Sequence, residues 1–238
     1  YLSEVEGRFR SYSPSYSLPQ HTALKNGLCL ADGTDPIQLK HYADFLASAG
    51  GYTPSGYSPT LPPVLNATSS RPDAQRLGLL NVQYVVAEYP IQAEGLFAPA
   101  RFGDVYIYEN EHFLPRAFVV ANPTPPVEGN VHLSTPVAPQ PAQILTYSPN
   151  RVEVEVGSHE PSLLVLSEVW YPGWQARVDG QEVPVYRVEG TLRGVYLDAG
   201  PHTVEFAYRP WTVMLGLGLS AGATFALLGY AAHAWRQE

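Results

Sequence analysis

The chain has 238 residues, of which 45% are hydrophobic and only 15% charged, and it contains 23 Pro and 20 Gly. This length allows one or two cores plus an anchor, and so much Pro and Gly favours short strands joined by turns over long helices. The net charge of −8 and the lack of a Lys/Arg cluster argue against a nucleic-acid partner.

The first 122 residues predict a mixed α/β region. The segment Asp35–Ala49 has apolar residues at helical spacing and predicts a helix, with Asp35 as its N-cap and Pro36 at its first position. Asp73–Leu80 predicts a second, shorter helix. The strands predicted after it are Val82–Ala87, Val105–Glu109 and Arg116–Val120.

A β-rich domain follows a Pro-rich stretch. Residues 123–141 predict a linker, and residues 142–209 predict an antiparallel sandwich of about seven strands. Apolar residues alternate with polar ones in the second and last strands, and Asp179-Gly180 is a strong hairpin signal. The predicted strands are Gln143–Tyr147, Arg151–Val156, Leu163–Val169, Gln175–Val178, Val183–Val188, Leu192–Leu197 and His202–Tyr208.

The last segment, residues 210–238, predicts a transmembrane helix and a short tail. Thr212–Ala232 carries no charge, and its length matches a bilayer core of roughly 30 Å. Trp211 and Trp235 flank it as interfacial anchors. The lipid bilayer is therefore a predicted partner, and the short Arg209-Pro210 connection holds the sandwich close to it.

Small residues of this helix share one face. Gly218, Gly222, Ala226 and Gly229 fall within about 80° on a helical projection of ~100° per residue. The GxxxG pair predicts packing against other membrane helices. Phe225 lies near the same face, and chance in an Ala/Gly-rich helix is the alternative. The predicted class is α+β, mostly β, with one C-terminal transmembrane helix.

Five segments carry a resemblance to a known family. The segments are LGLLNVQYVV (Leu77–Val86), GDVYIYEN (Gly103–Asn110), LPRAFVV (Leu114–Val120), LVLSEVWYPGWQARVDG (Leu164–Gly180) and GPHTVEFAYRP (Gly200–Pro210). In their order and spacing they resemble the C-terminal portion of the YfhO family of bacterial multispanning membrane proteins.

The resemblance implies a polytopic protein similar to GT-C-type glycosyltransferases, which take sugars from lipid-linked donors on the outer face of the bacterial cell membrane. Such proteins are associated with glycosylating cell-envelope polymers. It also implies that the β domain is extracytoplasmic and that the catalytic acidic residues lie in an early loop of the membrane bundle. With no signal-peptide pattern after Tyr1, we expect a C-terminal piece with upstream membrane helices as partners, no catalytic residue and no cofactor.

The aromatic turn Trp170-Tyr171-Pro172-Gly173-Trp174 is the strongest candidate for ligand contact. Trp170, Tyr171 and Trp174 can stack on a glycan or a lipid-linked sugar, or settle at a membrane interface. The alternative is that these aromatics close the end of the sandwich core. A membrane-tethered carbohydrate-binding module is the rival function that this turn suggests.

The remaining polar groups favour structural roles. Asp32 and Asp35 can present two carboxylates to a metal or a sugar hydroxyl, but a metal loop supplies more oxygens. Glu168, Glu205 and Asp179 are considered as a glycosidase-like carboxylate set, with surface solubility as the favoured alternative. The seven histidines lack HxH or HExxH spacing, so no metal site is predicted. Cys29 is predicted to be buried among apolar residues.

Overall fold

The computed structural model of the chain describes residues 1–54, 56–134 and 139–237. Strands predominate, and a single long helix ends the chain, which confirms the α+β, mostly β class. Besides a 3₁₀ turn at Leu2–Glu4, the helices are α1 (Gln20–Lys25), α2 (Lys40–Gly50), α3 (Ala74–Leu79) and α4 (Trp211–Trp235).

The described strands form three larger sheets and one two-stranded sheet. In chain order they are β1 (Arg10–Tyr12), β2 (Cys29–Leu30), β3 (Gly33–Thr34), β4 (Thr60–Leu61), β5 (Val82–Ala87), β6 (Leu96–Phe102), β7 (Val105–Asn110), β8 (Ala117–Ala121), β9 (Asn130–Val131), β10 (Gln140–Pro141), β11 (Gln143–Ser148), β12 (Arg151–Ser158), β13 (Ser162–Val169), β14 (Trp174–Val178), β15 (Gln181–Val183), β16 (Tyr186–Val188), β17 (Leu192–Leu197) and β18 (Gly200–Tyr208).

The N-terminal region is built on a mixed sheet in the order β2-β1-β5-β7-β6. Strand β1 runs parallel to both of its neighbours, whereas β5, β6 and β7 pair antiparallel. Helix α3 begins beside this sheet where the Asp73 side chain accepts a hydrogen bond from the Arg76 N–H at 3.0 Å. This cap satisfies one of the orphan amides of the first helical turn.

The sandwich consists of two sheets in the orders β10-β8-β13-β17-β16-β9 and β11-β12-β18-β14-β15. The alternating valines of β12 are buried, and they meet Leu164 and Leu166 of the facing sheet in a shared core. The opposite residues of β12 are polar. This pattern is the reason that the period-2 signal of β12 predicts its strand correctly.

Strand β13 is buried on both of its faces and joins the two halves of the molecule. Leu164 and Leu166 face the sandwich core, whereas Leu163 and Val165 belong to the core formed with α2, α3 and the N-terminal sheet. Burial on both faces explains why the strand is an unbroken apolar run, LLVL, instead of an alternating one.

The first predicted helix begins later than expected, and the assignment of Asp35 as its cap is wrong. Helix α2 starts at Lys40, and its N-cap Leu39 makes no side-chain cap. Asp35 instead accepts a hydrogen bond from the Ile37 N–H at 2.8 Å, and its own N–H donates to the Pro59 carbonyl beside the β3–β4 pair. These bonds fix the segment as a turn.

The strand predicted over Val183–Val188 is also corrected. The chain forms β15 and β16 here, and these lie in different sheets of the sandwich. Pro184 lies between them and has no N–H to donate to a ladder, so the chain leaves one sheet at this point and enters the other.

Two short strands lie within the predicted linker, residues 123–141. β9 and β10 are at the two edges of the six-stranded sheet. That sheet also contains β8, which precedes the linker. Residues 135–138 of the linker lie outside the described residues. The division into residues 1–122, 123–141 and 142–209 stays a prediction.

Cys29 is exposed, so its predicted burial is wrong. It lies in β2, a two-residue strand at the edge of the N-terminal sheet. An edge strand this short leaves one face of its side chains outside the core, and nothing in the local sequence marks that face.

Candidate functional site

The predicted C-terminal membrane helix is confirmed as α4. Its stretch Trp211–Ala231 has a mean hydropathy of 1.6, is long enough to cross a membrane and has no part buried against the rest of the chain. Twenty-one residues at ~1.5 Å per residue extend over roughly 30 Å, which is the thickness of a bilayer core.

The aromatic turn is attached directly to the start of α4. The Arg209 N–H donates to the Gly173 carbonyl at 2.7 Å. Gly173 has a φ of 104°, and a Cβ at this position would lie 3.1 Å from the Pro210 Cα. Only glycine accommodates both the left-handed backbone and this close approach. The turn therefore lies where the chain enters the helix.

Two of the three predicted ligand-contact residues have a ring face covered by arginine. The Arg193 guanidinium lies 3.6 Å from the Trp174 ring centroid, and the Arg187 guanidinium lies 4.3 Å from that of Trp170. Trp174 also packs against the sandwich core. Tyr171 is 44% exposed. The turn thus combines cation–π packing with one outward-facing phenol.

We expect Trp174 and Tyr171 to respond differently to truncation. Trp174→Ala removes the packing on Arg193 and on the core, and it should lower the free energy of unfolding by about 2–3 kcal/mol. Tyr171→Ala, at an exposed position, should lower it by less than about 1 kcal/mol. Thermal and denaturant unfolding of the chain in detergent micelles measures both changes, and equal losses would contradict this division.

A buried group of charges lies next to the turn, centred on Glu168. We call Arg10, Arg116, Tyr147, Glu168 and Arg193 the arginine–glutamate junction. Glu168 Oε1 accepts hydrogen bonds from Arg10 Nη2 and Arg116 Nη1, both at 3.3 Å, and from the Tyr147 hydroxyl at 2.5 Å. The junction connects the N-terminal sheet with both sheets of the sandwich.

A bulge in β13 sets the position of Glu168. Along the pairing with β17, Leu166 lies opposite Arg193 but Val169 lies opposite Leu192, so the register shifts across Ser167 and Glu168. A bulge of this kind re-aims side chains at the end of a strand. Ser167 uses the same irregularity to donate its hydroxyl to the Leu79 carbonyl at 2.8 Å.

Burial and mutual repulsion perturb the charges of the junction. Burial lowers the pKa of Arg193 to about 10. Burial also lowers the pKa of Arg116, and the positive charge of the neighbouring Arg10 lowers it further. Burial alone would raise the pKa of Glu168, but Arg10, Arg116, the hydrogen bond from Tyr147 and Arg193 together hold that pKa below its ordinary value. Glu168 is therefore ionised and serves as the counter-charge of the arginines.

The three carboxylates considered as a glycosidase-like set are each bound to a structural partner. Glu168 lies in the junction. Glu205 pairs with Arg151 at 3.1 Å on the outer face of the sandwich. Asp179 pairs with His202 at 2.7 Å, and this hydrogen bond lowers the pKa of Asp179 and raises that of His202.

Asp32 and Asp35 line one cavity of about 290 Å³, but their oxygens bind different segments. Asp32 Oδ1 accepts the Ser13 N–H at 3.1 Å, whereas Asp35 binds Ile37 in its own turn. Asp32 is 8% exposed, and burial raises its pKa to about 7. Within the described residues, no group of three or more His, Cys, Asp and Glu side chains is arranged to hold a metal ion.

The small-residue face of α4 is open. Cβ atoms added at Gly218, Gly222 and Gly229 would meet no heavy atom within 4 Å, and Ala226 on the same face is exposed. The use of this face for helix packing stays a prediction, as does ligand contact by Trp170, Tyr171 and Trp174.

Comparison with known proteins identifies one family. Residues 132–220 match the family model described as bacterial membrane protein YfhO. The match runs from the strand β10 through β18 into the first half of α4, and it contains two of the five resembling segments, Leu164–Gly180 and Gly200–Pro210. No curated protein and no solved structure matches the chain. Residues 132–220, the C-terminal portion of this chain, are therefore similar to the YfhO family of bacterial membrane proteins, which supports the resemblance for that portion.

Proposed function

We propose that the chain is the extracytoplasmic C-terminal domain and last membrane helix of a polytopic protein related to glycosyltransferases. That protein would act on cell-envelope polymers and use lipid-linked sugar donors. In this proposal the β domain covers the outer face of the membrane bundle and shapes a cleft for donor or acceptor, while other parts of the protein supply the catalytic acids.

The observation that carries the proposal is the direct attachment of the aromatic turn to α4. The Gly173–Arg209 hydrogen bond joins the turn to the residues that precede the helix. Tyr171 and Trp211, 44% and 70% exposed, are aromatic side chains of the kind enriched at membrane interfaces. A domain held this closely to the bilayer suits a wall of a membrane-surface cleft.

The engagement of the carboxylates supports a non-catalytic role for this part. A general acid or nucleophile must reach the substrate. Glu168 is enclosed by two arginines and a tyrosine, Glu205 is paired with Arg151, and Asp179 with His202. Each pairing engages its carboxylate in a structural contact.

The single cysteine gives a direct test of the proposed orientation. Cys29 is exposed in the N-terminal region, which the proposal places on the same side of the membrane as the sandwich, so a membrane-impermeant maleimide should label it in intact bacterial cells. The matched control is Gln237→Cys in a Cys29→Ser background, which places the thiol after α4 and should be labelled only after lysis. The reverse pattern would overturn the extracytoplasmic placement. The purified chain should also show no sugar transfer from a polyprenyl-phosphate donor.

The second candidate function is a membrane-tethered carbohydrate-binding module. The exposed ring of Tyr171, beside Trp170 and Trp174, favours it because sugars stack on aromatic faces. Saturable binding of an envelope polysaccharide that Tyr171→Ala abolishes, with an unchanged unfolding midpoint, would favour this module over a cleft wall.

A further inference from the structure

The arginine–glutamate junction has an excess of positive charge in an otherwise acidic protein. The chain has 14 Lys and Arg residues against 22 Asp and Glu, yet three arginines surround one carboxylate here. All three are largely buried. The side chain of Arg10 is 14% exposed, and Arg116 and Arg193 are 7% and 3% exposed as whole residues. Buried charges need partners, because the protein interior solvates them poorly.

Two of the arginines are compensated within the fold. Arg10 donates to the Leu80 and Ser167 carbonyls at 3.0 and 2.8 Å as well as to Glu168. Arg193 lies on the Trp174 ring, and its guanidinium is also 5.8 Å from the Phe206 ring. Carbonyl dipoles stabilise the charge of Arg10, and aromatic ring faces stabilise the charge of Arg193.

Arg116 is compensated less well. Its acceptor is Glu168 Oε1, which it shares with Arg10 and Tyr147. Its Nε, like that of Arg193, is buried and has no hydrogen-bond partner among the residues that the structure describes, but Arg116 has no aromatic face to compensate for this. A guanidinium with a shared acceptor and a free donor retains capacity for a further anion.

A cavity opens beside Arg116 and carries a second guanidinium. Its volume is about 340 Å³, and both Arg8 and Arg116 line it together with Tyr147. Arg8 is exposed, and its guanidinium lies 4.8 Å from the Tyr147 ring centroid. The remaining wall is mainly apolar and includes Leu2, Val5, Phe9 and Leu28. The cavity therefore combines two cations with an apolar wall.

The cavity is near the membrane-facing end of the sandwich. Tyr147 pairs with Val152, which in turn pairs with Phe206. Phe206 is five residues before Trp211, which is ~17 Å at ~3.3 Å per residue, and the two strand spacings add ~10 Å, so the backbone of Tyr147 lies within roughly 27 Å of the start of α4.

We propose that this cavity binds a phosphate-bearing ligand, with the phosphate between Arg8 and Arg116 and any apolar part along Leu2, Val5 and Phe9. Paired guanidinium groups match the several oxygens of a phosphate. The phosphate can come from a lipid headgroup near the bilayer or from a soluble phosphate compound. The site requires no particular orientation of the β domain, so it stands independently of the proposed function.

Calorimetric titration of the chain in phosphatidylcholine nanodiscs tests the proposal and separates the two sources. The probes are inorganic phosphate and dihexanoyl phosphatidic acid, with dihexanoyl phosphatidylcholine as the zwitterionic reference. Arg8→Gln should raise the dissociation constant of the bound probe about tenfold, as expected for the loss of a charge-assisted contact. Arg8 is exposed, so the fold should persist. Arg151→Gln removes another exposed charge, on the outer face of the sandwich, and should leave the constant unchanged.

Binding of both phosphate probes, weakened by Arg8→Gln alone, would support a site for the phosphate group itself. Binding of phosphatidic acid alone with the same dependence would support a lipid-headgroup site. Failure of both probes to bind, or equal weakening by Arg8→Gln and Arg151→Gln, would overturn the proposal.

Discussion

Replacing Glu168 by alanine is expected to lower the free energy of unfolding by about 3–5 kcal/mol. The change leaves Arg10 and Arg116 without the oxygen that they share at 3.3 Å and removes the partner of the Tyr147 hydroxyl. Removal of one member of a buried charge group is costly because the remaining charges stay desolvated. Unfolding of the chain in detergent micelles, by heat and by denaturant, measures the loss.

Two further variants define the origin of this loss. Glu168→Gln keeps the shape and an acceptor oxygen but removes the charge, so we expect an intermediate loss. Glu153→Ala removes a carboxylate that pairs with Arg151 at 3.5 Å on the solvent-facing side of β12, and it should cost less than about 1 kcal/mol. A Glu168→Ala protein as stable as Glu153→Ala would show that the junction does not stabilise the fold.

The junction also has a defined pH dependence. Burial alone would raise the pKa of Glu168, but the arginines of the junction and the hydrogen bond from Tyr147 together hold it below its ordinary value. Its contribution to stability is therefore present above the unfolded pKa, near 4.5, and is lost as the pH falls through the lower folded pKa. Acid should weaken the junction well below pH 4.5.

The strands of the sandwich are predictable from their patterns of apolar residues. Leu192–Leu197 is predicted with its observed bounds, and β11 to β14 and β18 are predicted within one or two residues at each end. In β12 one face is buried and the other is not, so its residues alternate, whereas β13 is buried on both faces and is predicted from an unbroken apolar run. The strand predicted over Val183–Val188 fails because both halves have strand-like residues while the sheet changes at Pro184.

The junction is not predictable from local sequence. Glu168 lies 158 residues from Arg10 and 52 from Arg116 along the chain, and no spacing rule connects such distant positions. The available signal is the Ser167-Glu168 pair at the end of the apolar run Leu163–Leu166. Polar residues at the end of a doubly buried strand need buried partners, which indicates a polar contact without identifying the partners.

The cap at Asp35 and the burial of Cys29 fail for a related reason. Asp35 followed by Pro36 is a good helix start, but the same residues close a turn against the Pro59 carbonyl, a tertiary contact 24 positions away. The exposure of Cys29 likewise depends on the position of β2 at a sheet edge. Local propensity is overridden where a backbone group finds a partner from another segment.

Asp32→Asn is expected to remove a strong pH dependence of stability. Asp32 is 8% exposed, Oδ2 has no hydrogen-bond partner among the described residues, and burial raises its pKa from 3.8 to about 7. A raised folded pKa means that the native state binds the proton more tightly than the unfolded state. Stability is then highest below the unfolded pKa, falls as the pH rises from about 4 to 7, and stays low above pH 7.

The size of the effect follows from the width of this window. About three pH units at about 1.4 kcal/mol per unit correspond to roughly 4 kcal/mol. Asparagine preserves the oxygen that accepts the Ser13 N–H and cannot ionise, so at pH 8 the variant should be more stable than the parent by about 2–4 kcal/mol, and at pH 4 the difference should vanish.

Asp179→Asn is the matched control, because the hydrogen bond from His202 lowers the pKa of Asp179 and its stabilisation is lost in acid instead. Parallel unfolding profiles of parent and Asp32→Asn between pH 4 and 8 would show that Asp32 keeps the same proton affinity in the folded and unfolded chains.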